Sequence, residues 1–97
     1  MSKHIGRKQR WRQESETLYL SEFGRVAFRE RAWFGLLDYR TMTLGDDQLP
    51  HWEAHHLRLG PFKRPRNAML ALEQEATVLR NRHGDHVLFG EQLWAEQ

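Results

Sequence analysis

The chain has 97 residues, a length that suits one domain, and 15 Lys and Arg against 13 Asp and Glu give it a formal net charge of +2. The absence of cysteine excludes disulfides, thiol catalysis and thiolate metal sites, and it predicts a reducing, cytoplasmic location. With no run of about 18 apolar residues and no apolar stretch at the N terminus, we expect neither a membrane-spanning helix nor a secretory signal.

The first twelve residues form a basic segment without an acidic residue; its five cations are Lys3, Arg7, Lys8, Arg10 and Arg12. The rest of the chain holds ten cations and thirteen acids, so the high isoelectric point comes from this segment. Like charges repel, and little apolar area is present to offset the entropy lost on ordering. The sequence therefore predicts a disordered basic arm at residues 1–14 and a single domain at residues 15–97.

Four segments with strand-like residue patterns follow the arm. They are Thr17–Ser21, Arg25–Arg31, Trp33–Arg40 and Trp52–Leu59. Gly35 within the third segment indicates a bulge or the close approach of another element. The polar stretch Thr41–Pro50 is predicted to be a loop.

A helix is predicted at Pro65–Arg82, because Pro65 suits a first helical turn and Gly84 suits a helix stop. Its apolar residues at positions 68, 69, 72, 76 and 79 share one face. After it, Val87–Phe89 and Leu93–Trp94 are compatible with either a short edge strand or a turn of helix.

These elements predict an α+β fold, in which a small antiparallel sheet of three to four strands packs on one α-helix. Because one helix covers only one side of such a sheet, the apolar side of each element should form the core. The expected core residues are Leu18, Leu20, Val26, Phe28, Phe34, Leu36, Leu57, Leu59, Phe62, Met69, Leu72, Ala76 and Leu79.

The other side of the sheet is predicted to be basic. Alternation places Arg25, Arg29 and Arg31 together, and Arg58 shares their side with His56 and Trp52 if Leu57 and Leu59 meet the helix. Tyr19 and either Trp33 or Phe34 would add aromatic rings. Arginine offers charge to phosphates and donors to base edges, so this face suits nucleic acid. Solvated arginines on an ordinary outer face are the plain alternative.

The passage from the fourth predicted strand into the helix resembles that of the AP2 DNA-binding domain and of integrase arm-binding domains. It is carried by Leu59-Gly60-Pro61-Phe62 followed by Ala68, Ala71, Glu73 and Ala76. Upstream, Arg25-Val26, Arg29, Arg31 and Trp33 resemble the family's Arg- and Trp-bearing first strands, so the similarity covers residues 24–80. It implies three antiparallel strands on a helix, with the sheet entering the DNA major groove.

The resemblance implies DNA contacts at Arg29, Arg31 and Trp33, with Arg25 beside them. The family's opening Tyr-Arg-Gly is replaced by Gly24-Arg25-Val26, and the loop at Thr41–Pro50 is longer than usual. The basic arm suits the same role, because such arms lie along phosphate backbones. The candidate nucleic-acid-binding residues are Arg25, Arg29, Arg31, Trp33, Arg58, Lys8, Arg10 and Arg12, with DNA favoured over RNA.

Other chemistries find little support in the sequence. The cluster His51, His55 and His56 lies on a predicted strand, which separates His51 from His55 by about 13 Å. A second group, His83, Asp85 and His86, could converge in a turn, but such trios are common by chance. Ser15 and Ser21 lie in no nucleophile motif, and no phosphate-binding glycine loop is present. We therefore expect no enzyme activity, metal, cofactor, small-molecule substrate or membrane contact.

The alternative to nucleic-acid binding is a protein-interaction module. The chain has more large apolar side chains than one small core is expected to hide, and exposed apolar patches mark partner surfaces. The side chains in question are Trp11, Trp52, Trp94, Phe89 and Leu70. An edge strand of the sheet offers a second route, by pairing with another copy of the chain.

Overall fold

The computed structural model describes residues 11–90, and within them the chain forms one antiparallel sheet of six strands and one long α-helix. The α+β class is confirmed, with more strands than the three to four expected. The elements are β1 (Arg12–Ser15), β2 (Leu18–Leu20), β3 (Gly24–Arg29), β4 (Ala32–Leu44), β5 (Pro50–Phe62), α1 (Pro65–His83), a 3-10 turn (Gly84–His86) and β6 (Val87–Phe89). Strands β1 to β5 lie side by side in chain order, and β6 pairs with β4.

Strand β1 corrects the predicted boundary between arm and domain. Residues Arg12–Ser15 pair with β2, although residues 12–14 were assigned to the disordered arm. Trp11 packs against the core, and its indole Nε1 donates a hydrogen bond to Glu73 Oε2 of α1 at 2.6 Å. Lys8 and Arg10 lie outside the described residues.

Strands β4 and β5 form a long hairpin that replaces most of the predicted loop at Thr41–Pro50. Their pairing runs from Trp33–Phe62 to Leu44–Pro50, so only residues 45–49 connect them. In this connection the Asp47 carboxylate accepts hydrogen bonds from the Leu49 backbone N–H and from His51, which lowers the pKa of Asp47. The connection is therefore a short turn that the Asp47 carboxylate stabilises.

Helix α1 confirms the predicted helix and extends it by one residue. Its buried residues are Ala68, Leu72, Ala76 and Leu79, and Gly84 follows it with a φ of 60°. Gly35 lies beneath the helix, because a Cβ there would be 3.3 Å from the Ala68 carbonyl oxygen. Of the two alternatives predicted for Gly35, the close approach is confirmed, and the pairing of β4 with β5 also shifts register between Trp33 and Gly35. The close approach fixes which face of β4 meets α1.

The core lies between α1 and the face of the sheet that carries Gly35. Val26 and Leu37 are fully buried there, and Leu57 and Leu59 of β5 pack against the same cluster. Phe23 and Phe89 close its end with their rings edge to face, 5.5 Å apart. The expected core omitted several of its members, namely Phe23, Leu37, Ala68, Val87 and Phe89.

Three leucines expected in the core lie on the other face. Leu18 and Leu20 flank Tyr19 in β2, and Tyr19 is the residue that packs against the core. Leu36 precedes Leu37 and points away from it, as alternation along a strand requires. Phe28 is on the helix side but 40% exposed at the end of β3. Because both sides of these strands carry apolar residues, only the pairing register distinguishes them.

Candidate nucleic-acid interface

The face of the sheet opposite α1, here called the arginine face, carries a row of alternating arginine and leucine. Across the five strands Arg12 lies opposite Leu20, Leu20 opposite Arg25, Arg25 opposite Leu36, and Leu36 opposite Arg58. Neighbouring strands are about 4.8 Å apart, so successive arginines stand about 10 Å apart. Arg12, Arg25 and Arg58 are called the arginine row below.

An apolar layer lies beside this row. Phe34 and Ala27, which are direct neighbours on β4 and β3, are each only 6% exposed although α1 does not cover them. The guanidinium of Arg58 stands over the Phe34 ring, 4.4 Å from its centroid. This cation–π contact holds the Arg58 side chain on the sheet and leaves its charge at the surface.

Two carboxylates lower the net positive charge of the arginine row. Asp38 Oδ2 is 3.6 Å from Arg25, and its Oδ1 is 2.8 Å from His56 Nδ1. The Glu14 carboxylate accepts a hydrogen bond from Arg12 Nε at 2.7 Å. These pairs are at the surface, where an ion pair contributes about 0–1 kcal/mol, so a phosphate oxygen can compete with either carboxylate.

Two further arginines extend the arginine face. Arg29 is exposed at the end of β3 and shares its side with Arg25. Arg40, which was not among the predicted site residues, lies on the same side of β4 between Ala54 and Leu88. Arg40 lies on this side because it alternates in step with Leu36 and Asp38. The sequence did not predict this, because β4 carries apolar residues on both sides.

Arg31 does not stand on a strand with Arg25 and Arg29, which corrects its expected position. Strand β3 ends at Arg29, and Glu30 and Arg31 form the two-residue turn into β4. Their φ angles are 52° and 68°, as a hairpin turn that matches the twist of its strands requires. Arg31 is exposed at the tip of that turn.

Trp33 lies on the helix side of the sheet, away from the arginine row. Its ring is 5.8 Å from that of Tyr19 and 5.2 Å from that of Phe28, and it packs against the core. Tyr19, which was also expected among the arginines, has the same placement. The aromatic residues of the arginine face are therefore Phe34 and Trp52, with Trp52 opposite Met42.

The histidines of the β4–β5 hairpin each have a different partner. His51 contacts Asp47, His55 Nε2 is 3.0 Å from Thr41 Oγ1, and His56 contacts Asp38. His55 also stacks on Tyr39, with ring centroids 4.8 Å apart. Among residues 11–90, no group of three or more His, Asp or Glu side chains is placed to hold a metal ion.

In the described part of the chain, no helix has the length and apolar character needed to cross a membrane. Comparison with models of known protein families, with curated proteins and with solved structures gives no match.

Proposed function

We propose that this domain binds nucleic acid without catalysing a reaction and that the arginine face is the contact surface. The observation that carries the proposal is the arginine row, in which three arginines from three different strands occupy cross-strand positions at regular backbone spacing on a face that α1 leaves uncovered. Arginine is suited to such a surface because its planar, permanently charged group donates several hydrogen bonds to phosphate or to guanine.

The charge balance of the arginine face supports the proposal. The arginine face carries five cations against the two carboxylates of Asp38 and Glu14; the cations are Arg12, Arg25, Arg29, Arg40 and Arg58. The chain outside residues 1–12 is net acidic, so this concentration of arginine differs from the average of the body. A local excess of positive charge on one face attracts a polyanion even when the net charge is small.

The basic segment, residues 1–12, is connected in sequence to the arginine row. Arg12 belongs both to that segment and to the arginine row. Lys3, Arg7, Lys8 and Arg10 precede it in the sequence. The resemblance to AP2-type domains favours double-stranded DNA as the ligand, with the sheet in the major groove, although Trp33 and Arg31 are placed differently from what that resemblance implies.

The proposal is tested by fluorescence anisotropy with labelled random duplex DNA and with a single strand of the same length. The Arg25→Ala/Arg58→Ala variant removes two charges from the row, and the matched control Arg66→Ala/Arg82→Ala removes two exposed charges from α1. We expect the row variant to weaken duplex binding by about tenfold or more and the control to change it far less. An equal loss in both variants, or no binding by the native chain at low salt, would overturn the proposal.

The contribution of the segment before Trp11 is measured separately. Deleting residues 1–10 removes four cations. If all four contact phosphates, the slope of log K against log salt should fall by about 3.6, at about 0.9 for each contact. An unchanged slope would show that the arginine face binds without this segment.

A further inference from the structure

The outer edge of β5 has no partner strand in the described residues. Strand β4 is paired on both sides, with β3 and β6 on one and β5 on the other, whereas β5 pairs with β4 alone. At thirteen residues β5 is as long as β4, and its first five residues are all exposed. A long unpaired edge presents a series of backbone N–H and C=O groups that another strand can bind.

The edge at β5 is longer and less interrupted than the opposite edge, although it also carries two charged residues, Glu53 and Arg58, and its pairing with β4 shifts register between Leu59 and Phe62. Strand β1 has four residues, two of them charged, and its pairing is interrupted by a register shift. Between His51 and Leu59, β5 contains no proline, glycine or lysine. Near its start three large apolar side chains are 43–59% exposed, those of Leu44, Leu49 and Trp52.

We propose that β5 pairs antiparallel with β5 of a second copy of this chain, about a two-fold axis that passes beside Ala54. Such an axis is perpendicular to the sheet and joins the two sheets into one. The residues that then lie opposite each other are Ala54 and its counterpart, Glu53 and His55, Trp52 and His56, and His51 and Leu57.

Charge complementarity, the length of strand that is paired and the small side chain at the axis together select this register. Side chains directly opposite each other on one face lie about 5 Å apart, so like charges there repel, and a carboxylate there attracts a protonated imidazole or accepts a hydrogen bond from a neutral one. The axis at Ala54 places each Glu53 carboxylate opposite the imidazole of the other copy's His55, twice over. This axis also places Ala54, the smallest side chain of the segment, at the centre of the interface. The other copy's His56 then lies opposite the exposed Trp52.

Among the neighbouring registers, an axis at Trp52 also places Glu53 opposite a histidine, His51, but it pairs only residues 50–54 of β5, whereas the axis at Ala54 pairs residues 50–58. The other four neighbouring registers lack the match. An axis at Glu53 sets two carboxylates against each other, and an axis at His55 or His56 sets two imidazoles against each other. An axis at Leu57 places His56 opposite Arg58. None of the four places Glu53 directly opposite a basic residue.

The pairing has a consequence for the rest of the molecule. Because the axis is perpendicular to the sheet, the arginine faces of both copies lie on the same side of the joined sheet. The inference does not depend on nucleic-acid binding, since it rests on β5 alone.

Disulfide trapping tests the register directly, because the native chain contains no cysteine. Ala54→Cys places two thiols opposite each other within reach of a disulfide, so mild oxidation should convert the variant to a covalent dimer. Gln13→Cys, on the edge strand β1, is the matched control and should stay monomeric. Trp52→Cys and His56→Cys should cross-link when mixed, whereas neither should cross-link by itself.

A charge exchange tests the same contact without oxidation. Glu53→Lys should raise the dimer dissociation constant by about tenfold in analytical ultracentrifugation, since two attractive pairs become unfavourable. Adding His55→Glu should restore most of that loss, and circular dichroism confirms that both variants fold. A native chain that sediments as a monomer at every concentration, or an Ala54→Cys variant that cross-links no faster than Gln13→Cys, would overturn the proposal.

Discussion

Leu36 and Leu37 are neighbours in β4, yet they lie in opposite environments. Leu37 is fully buried beneath α1, while Leu36 is half-buried between Arg25 and Arg58 on the arginine face. Leucine thus contributes buried apolar surface on the helix side of the sheet, and on the other side it lies between two arginines. Residues that stabilise the sheet and residues of the candidate site therefore alternate along the same strands. A substitution can change stability without changing the site, or change the site without changing stability.

The largest expected effect comes from truncating the two leucines. Leu37→Ala should lower the free energy of unfolding by about 3 kcal/mol, because it leaves a cavity in the core, whereas Leu36→Ala should cost about 1 kcal/mol. Urea denaturation followed by tryptophan fluorescence measures both. Equal losses would contradict the assignment of the two faces.

Gly35→Val fills the narrow contact between β4 and α1. A Cβ at this position already lies 3.3 Å from the Ala68 carbonyl oxygen and 3.5 Å from Leu72 Cδ1. We expect the extra methyl groups to destabilise the protein by about 2 kcal/mol, as overpacking does. Ala32→Val, at a half-buried position in the same strand, is the control. A valine tolerated equally at both positions would mean that α1 does not approach Gly35 closely.

Trp11→Phe tests whether the chain before β2 belongs to the folded core. The variant keeps an aromatic ring but removes the Nε1 donor to Glu73. We expect a loss of about 1 kcal/mol in the free energy of unfolding. A double-mutant cycle with Glu73→Ala, which removes the acceptor, isolates the contact, and a coupling energy of zero would contradict it.

Asp38→Asn should have the smallest effect on stability, within about 0.5 kcal/mol, because its partners are surface charges. The same change removes the carboxylate that competes for Arg25, so affinity for duplex DNA should rise. Asp46→Asn, in the hairpin connection, removes an equal charge far from the row. A larger gain in affinity from Asp46→Asn would contradict the proposed site.

The helix and the close approach at Gly35 were predictable because their signals are local. Pro65, Gly84 and the apolar spacing in between mark α1 without reference to the rest of the chain. The placement of Arg25, Arg29 and Arg58 on one side of the sheet also followed from alternation. Predicting these positions required only the two-residue period of a strand and the assumption that Leu57 and Leu59 face the helix.

The remaining features depend on pairing between distant segments. Arg12–Ser15 has no apolar alternation and forms β1 through its pairing with β2. The side taken by Trp33 is decided by the register of β3 and β4, because Trp33–Arg40 carries apolar residues on both sides. The arginine row itself joins residues from three strands, and no short stretch of sequence contains it.

The central claim is that the arginine row contacts phosphates, and the salt dependence of duplex binding tests it most directly. Replacing Arg25 and Arg58 by alanine should reduce the slope of log K against log salt by about 1.8, which corresponds to two lost phosphate contacts. The Arg66→Ala/Arg82→Ala variant should keep the native slope. Identical slopes for the native chain and the row variant would contradict the account and place the contact surface elsewhere on the molecule.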